Sequence, residues 1–208
     1  MRAAVLSNFG SALQITDIPD PRPRSGEVLV QIAASGVNPL DTKIRRGEAA
    51  HAETVLPAVL GIDLAGTVAA LGPDVVGFRV GDEVYGMTGG VGNLQGSLAE
   101  LAAVDSRLLA IKPRTLSMRE SASLPLAVIT AWEGLVDRAQ VHAGQKVLIH
   151  GGAGGIGHVA VQLARARGAD VYATGSPANR DVILSLGATP IDYRAATVDE
   201  YKIGRAHV

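Results

Sequence analysis

Alternation of apolar and polar positions dominates the first half of the chain. From Glu27 to Ala33, Val28, Val30 and Ile32 fall on one side and Leu29 and Gln31 on the other, the period of a half-buried strand. Ala65 to Leu71 is a second short apolar run. Arg79-Val80-Gly81-Asp82-Glu83-Val84 reads as a Gly-Asp turn between two more strands. Pro19, Pro21, Pro23 and Gly26 add frequent punctuation. Short strands at this spacing predict a small barrel or sandwich.

The period changes near residue 115. Ser117-Met118-Arg119-Glu120 has the form of a capping box, in which Ser caps a backbone amide and Glu reaches back. Helical spacing follows at Val128, Trp132, Leu135 and Val136. A boundary at Lys112 to Leu116 divides a first domain, 1–115, from a second, 116–202. In the second, a buried-type strand, Val147 to Ile149, precedes a helix with Ile156, Val159, Ala160, Leu163 and Ala164 on one face. Gly168 stands just past its end, and strands follow at Val171 to Thr174 and Pro190 to Tyr193. Strands alternating with helices predict a parallel sheet.

Composition narrows the class. The 208 residues are 47% hydrophobic and 19% charged, enough apolar content to bury a core. Net charge is -1 and the basic residues are scattered, so no nucleic-acid partner is expected. The longest uncharged stretch, Val147 to Ala164, is broken by glycines and histidines, and neither a membrane span nor a signal peptide is expected. There is no cysteine, which removes disulfides, thiol nucleophiles and cysteine-bound zinc. His51, His142, His150, His158 and His207 show no metal-ligand spacing and read as surface or turn residues. A cytoplasmic protein is expected.

The strongest motif is His150-Gly151-Gly152-Ala153-Gly154-Gly155-Ile156-Gly157, where Gly152, Gly154 and Gly157 make G-x-G-x-x-G. Alone the pattern is weak. Between a strand and a helix it gains a physical purpose. Gly152 permits a tight turn, Gly154 lets the backbone approach a pyrophosphate, and Gly157 lets helix pack on strand. Gly155 and Ile156 complete the turn, and the helix N-terminus faces the negative charge. The plainer alternative is a turn that is merely glycine-rich. An NAD site carries Asp or Glu about 20 residues on, for the ribose 2′-hydroxyl. Here that place is Gly175-Ser176, with Arg180 nearby and no carboxylate before Asp181. A hydroxyl and a guanidinium suit a 2′-phosphate, so NADPH is expected over NADH. The competing reading has Ser176 as a helix cap and Arg180 as solvated surface.

Several segments together resemble the quinone oxidoreductase branch of the medium-chain dehydrogenase/reductase superfamily, from Met1 to about Tyr201. They are Ala33-Ala34-Ser35-Gly36-Val37-Asn38-Pro39-Leu40-Asp41, Leu60-Gly61-Ile62-Asp63-Leu64-Ala65-Gly66, Gly77 to Val84, Leu124-Pro125-Leu126 with Thr130-Ala131-Trp132, and the glycine turn. The resemblance implies an N-terminal chaperonin-10-like β barrel, then a Rossmann domain with a doubly wound parallel sheet, and an active site between them. Zinc-dependent members carry Cys where Asn38 stands and His where Ile62 stands, so no zinc is expected. Without a Lewis acid, the implied acceptor is already electrophilic: a quinone or an α,β-unsaturated carbonyl. By the same resemblance Asn38 lines the cleft near the nicotinamide, Thr130 touches the cofactor, and Tyr193 lies near the adenosine phosphate. Asp41 reads equally as an active-site group or as a turn residue tying down its own loop.

The last residues, Ile203-Gly204-Arg205-Ala206-His207-Val208, are what ATC GGA AGA GCA CAC GTC encodes, the start of a common sequencing-library adapter. The expectation is a non-native tail at 203–208 on a Rossmann domain cut short, inactive by itself and part of a homodimeric parent. Three functions remain open: NADPH-dependent reduction of quinones or enones, enoyl reduction of thioester-linked substrates, and NADPH binding or redox sensing without turnover.

Overall fold

The alternating first half forms antiparallel sheet. In chain order it contains β1 (Arg2–Leu6), β2 (Gln14–Asp17), β3 (Glu27–Ser35), helix α1 (Pro39–Arg46), β4 (Ala58–Val59), β5 (Asp63–Leu71), β6 (Glu83–Met87), β7 (Leu101–Asp105) and β8 (Ala110–Ile111). One sheet has the order β7-β3-β5-β6-β8 and another the order β2-β1-β4, with every pairing antiparallel. A bridge between Ala3 and Ala99 laces the smaller sheet to the chain entering β7. This is the small β domain that the alternation predicts. The computed structural model describes residues 1–196, so the expected tail at 203–208 lies outside the described residues.

Burial follows the pattern along β3, with an exception further along this half of the chain. Val28 and Val30 of β3 meet Leu64, Val68, Val84 and Val104 in one core, and Leu6, Ile44 and Leu60 form a second beneath α1. Each such side chain, fully buried, stabilises the fold by roughly 1.5–3 kcal/mol. The exception is Val80, which is 65% exposed and belongs to no strand. Gly77 and Gly81 both have positive φ there, so the chain turns where two strands were expected, and only the second, β6, forms.

The capping box is present and starts α2 (Met118–Ala122): the Glu120 amide donates to Ser117 Oγ at 3.3 Å and the Ser117 amide to Glu120 Oε2 at 2.8 Å. Contacts divide the molecule into two units after Leu126, so α2 belongs to the first. The stretch 112–116 is fastened to that unit by Lys112, whose buried Nζ reaches Glu83 at 3.1 Å and the carbonyl of Pro113 at 3.1 Å.

Next come α3 (Pro125–Trp132), a π-helical continuation (Glu133–Arg138), β9 (Lys146–Ile149), α4 (Gly157–Ala166), β10 (Asp170–Gly175), a 3₁₀ turn (Pro177–Asn179), α5 (Arg180–Ser185) and β11 (Thr189–Asp192). The second unit's sheet runs β11-β10-β9, all parallel. Val147, Leu148 and Ile149 are all buried, as a strand covered on both faces requires. Val161, Ala160 and Ala164 of α4 share their core with Val171 and Ala173 of β10. Gly168 ends α4 in the left-handed conformation. Trp132, placed on the core face by spacing, is 47% exposed, because the π-helical continuation shifts the phase and buries Leu135.

Candidate functional site

The glycine turn joins β9 to α4, at the C-terminal end of a parallel strand. Its sharp bend falls at Gly151, with φ +69°, one residue earlier than the sequence suggested. Gly152 is packed instead: a Cβ there would strike Ala173 of β10. At Gly157 a Cβ would strike the carbonyl oxygen of Gly151, so the first turn of α4 presses directly on the bend. Gly154 and Gly155 are roomier: a Cβ on Gly154 would meet only the Gly151 carbonyl oxygen, at 3.1 Å, and one on Gly155 would meet nothing within 4 Å. Thr174 at the end of β10 steadies the bend, its Oγ1 accepting the Gly151 amide at 3.0 Å and its carbonyl the Gly152 amide at 2.9 Å. Ile156 was expected on the packed face but is 43% exposed, lying in the turn ahead of the helix. The Gly155 and Ile156 amides make no backbone hydrogen bond among the described residues. Backbone amides without partners at the start of a helix are electropositive and favour an anion.

Beside the end of β10 lies a hollow of about 210 Å³, walled by Gly175, Ser176, Arg180 and Asp192. Ser176 is the backbone cap of the 3₁₀ turn, yet its side chain makes no cap hydrogen bond. The Asn179 amide bonds to the Ser176 carbonyl at 2.9 Å instead, which leaves the hydroxyl available. Arg180 is exposed and makes no ion pair among the described residues. Asp192 enters the hollow through strand pairing, opposite Gly175, and its Oδ1 accepts the Arg194 amide at 2.9 Å. Tyr193 follows, 50% exposed, with the Arg194 guanidinium 5.7 Å from its ring centre. Thr130 is exposed on α3.

In the first unit Asn38 precedes α1 and is held at both ends. Its amide N–H donates to Asp41 Oδ2 at 2.7 Å, and its Nδ2 donates to Asp63 Oδ2 at 3.0 Å. Asp41 therefore ties down its own loop. Asp63 has no exposed surface, and its carboxylate also accepts the Leu126 amide at 3.1 and 3.2 Å. Burial pushes its carboxyl up to about 6, against the pull of the Asn38 and Leu126 bonds, and the charge of Asp41 adds to the rise. Burial likewise raises the Asp41 carboxyl, partly offset by the amides facing it. The residues at this place are a poor match for zinc: Asn38 offers a neutral amide oxygen in place of a thiolate, and Ile62 is buried and offers no donor atom.

Sequence reasoning missed Gly151, Thr174, Asp192 and Asp63. The first three depend on which backbone turns and which strands pair. Asp63 was visible only as the neighbour of Ile62.

Residues 24–114 match the alcohol dehydrogenase GroES-like domain. The chain is 39% identical, over 96% of its length and 54% of the relative's, to an NADPH-dependent alkenal/one oxidoreductase, chloroplastic, of Arabidopsis thaliana. It superimposes on an alcohol dehydrogenase superfamily protein from Novosphingobium aromaticivorans with a TM-score of 0.94 and 58% identity, covering 97% of this chain and 61% of that one. For the quinone oxidoreductase from Coxiella burnetii the values are 0.88 and 34%, covering 99% and 66%. The chain spans about half the length of the curated relatives it matches.

Proposed function

This chain belongs to the medium-chain dehydrogenase/reductase superfamily, and on that premise we propose that the whole protein is an NADPH-dependent reductase of α,β-unsaturated carbonyls or quinones that works without zinc. The observation that carries the reading is the glycine turn, where α4 presses on the bend so closely that no side chain fits at Gly157. Gly154, Gly155, Ile156 and Gly157 would hold the pyrophosphate through backbone amides. Ser176 and Arg180 would take the 2′-phosphate, with Tyr193 beside the adenosine phosphate and Thr130 against the cofactor. A bound NADPH supplies the hydride.

The chain's own task is to meet charge developing on the acceptor's oxygen. The Asn38 amide gives one N–H to Asp63, and its second N–H would donate to that oxygen in place of its interaction with Asp41. An enone or quinone needs no stronger electrophile, which agrees with a donor set poorly matched to zinc. No helix among the described residues is long and apolar enough to cross a membrane. A homodimer in the cytoplasm, acting on a small-molecule electrophile, completes the proposal.

The test is NADPH consumption by the full-length protein, followed by nicotinamide absorbance, against enones, quinones and an enoyl thioester. Turnover with enones or quinones supports the proposal. Turnover confined to the thioester makes the protein an enoyl reductase. Tight NADPH binding with no acceptor reduced makes it a binding protein.

A further inference from the structure

We propose that Asp63 is a positioning residue that fixes the orientation of the Asn38 side-chain amide and so decides which atom Asn38 offers to the acceptor. The inference deepens the proposed function and rests on it. An asparagine side chain has a broad, two-fold torsion about its last bond, so its oxygen and nitrogen ends exchange at little cost unless a neighbour distinguishes them. A carboxylate distinguishes them fully, because it accepts and cannot donate while ionised. Asp63 Oδ2 lies 3.0 Å from Asn38 Nδ2, a charge-assisted bond about twice as strong as a neutral one. The Asn38 backbone is held separately by Asp41 at 2.7 Å, so the loop cannot move to release the side chain.

Asp63 itself has no freedom. It opens β5, is wholly buried, and is anchored on its other side by the Leu126 amide. Its carbonyl accepts the Gly36 amide at 2.9 Å and the Ser97 hydroxyl at 2.8 Å. Holding Leu126 alone would need only a neutral acceptor. A buried carboxylate beside a second one, with no ion pair to either among the described residues, is an expensive way to make that bond. Such local cost concentrates at functional sites, where it sets geometry.

The experiment is a double-mutant cycle in the full-length protein, with Asp63→Asn, Asn38→Ala and both together. Asp63→Asn keeps the shape and an acceptor for Leu126 but removes the carboxylate that admits only the nitrogen end of the Asn38 amide, leaving Asp41 as the remaining restraint. We expect kcat for enone reduction to fall about ten- to a hundred-fold, with NADPH affinity nearly unchanged and the melting temperature not lowered. The double variant should be no slower than Asn38→Ala alone, because Asp63 then has nothing to orient. Equal losses from Asp63→Asn in both backgrounds, or lost NADPH binding, would make Asp63 a purely structural residue and overturn the proposal. A second readout needs neither turnover nor a folded variant. In the wild-type protein the two Asn38 side-chain amide protons should differ strongly in chemical shift, with one shifted downfield and slow to exchange. A pair at the shifts of a free asparagine side chain, exchanging rapidly with water, refutes the proposal. If no acceptor is reduced, the functional reading fails, and the amide spectrum still decides whether Asp63 holds Asn38.

Discussion

Gly157→Ala tests whether the glycine turn is built for a pyrophosphate. The added Cβ would sit 3.0 Å from the Gly152 Cα and closer still to the Gly151 carbonyl. Carbon atoms pack at about 3.5–4.0 Å, and the carbonyl contact is tighter than the carbon one, so the start of α4 must retreat by roughly 1 Å or more. Both obstacles are backbone, so no rotamer change relieves them. Overpacking of this kind costs about 1–3 kcal/mol, and alanine's better helix propensity returns up to about 1 kcal/mol. Net destabilisation should therefore stay below about 3 kcal/mol. Binding suffers more. The amides at the start of α4 move with the helix, and hydrogen bonds to a charged group are worth about 1.5–3 kcal/mol each. One such bond lost weakens NADPH about ten- to a hundred-fold. The assay is a nicotinamide fluorescence titration of the full-length protein, beside a thermal melt. Gly155→Ala is the internal control, because nothing lies within 4 Å of its Cβ. It should melt like wild type, so any affinity it loses reports contact with the ligand alone. If Gly157→Ala binds NADPH within about two-fold of wild type, the close approach of α4 is not what shapes the site.

Arg180→Ala should weaken NADPH about ten- to a hundred-fold and leave NADH nearly unchanged, and equal effects on both would remove Arg180 from the 2′-phosphate. Asp63 should impose a pH dependence on stability. Its folded carboxyl titrates at about 6 against an ordinary 3.8, so the folded state holds the proton more tightly. The contribution of this group should be greatest below about pH 4 and be lost, by about 3 kcal/mol, as pH rises through 6. Asp63→Asn should flatten that decline, and an unchanged slope would locate the titration elsewhere. Lys112→Ala strands the Pro113 carbonyl and should cost about 1–3 kcal/mol in urea unfolding, whereas no loss would mean water replaces the amine. Elemental analysis of protein purified without a histidine tag should find no stoichiometric zinc, and one zinc per chain supporting turnover would contradict the donor-set argument.

What the sequence determined by itself was local and periodic. Val28, Val30 and Ile32 announce a strand because a pleated backbone sends alternate side chains to opposite faces. Ser117 and Glu120 announce a helix start because their side chains answer backbone groups three residues away. The glycines at 152, 154 and 157 announce a βα turn because a strand and a helix flank them. Only the tertiary structure decided which glycine does which work. Gly151 makes the bend and Gly152 the packing, since that assignment depends on where β10 passes. It also brought Asp192 beside Ser176 and Arg180, through a strand register that no local pattern encodes. The largest gain was at Asp63. In the sequence it is one carboxylate beside Ile62. In the fold it is wholly buried, bonded to Asn38 on one side and Leu126 on the other, 25 and 63 residues away in the chain. Such partners meet only when strands and helix ends converge, and burial there, rather than residue type, sets the carboxyl's chemistry.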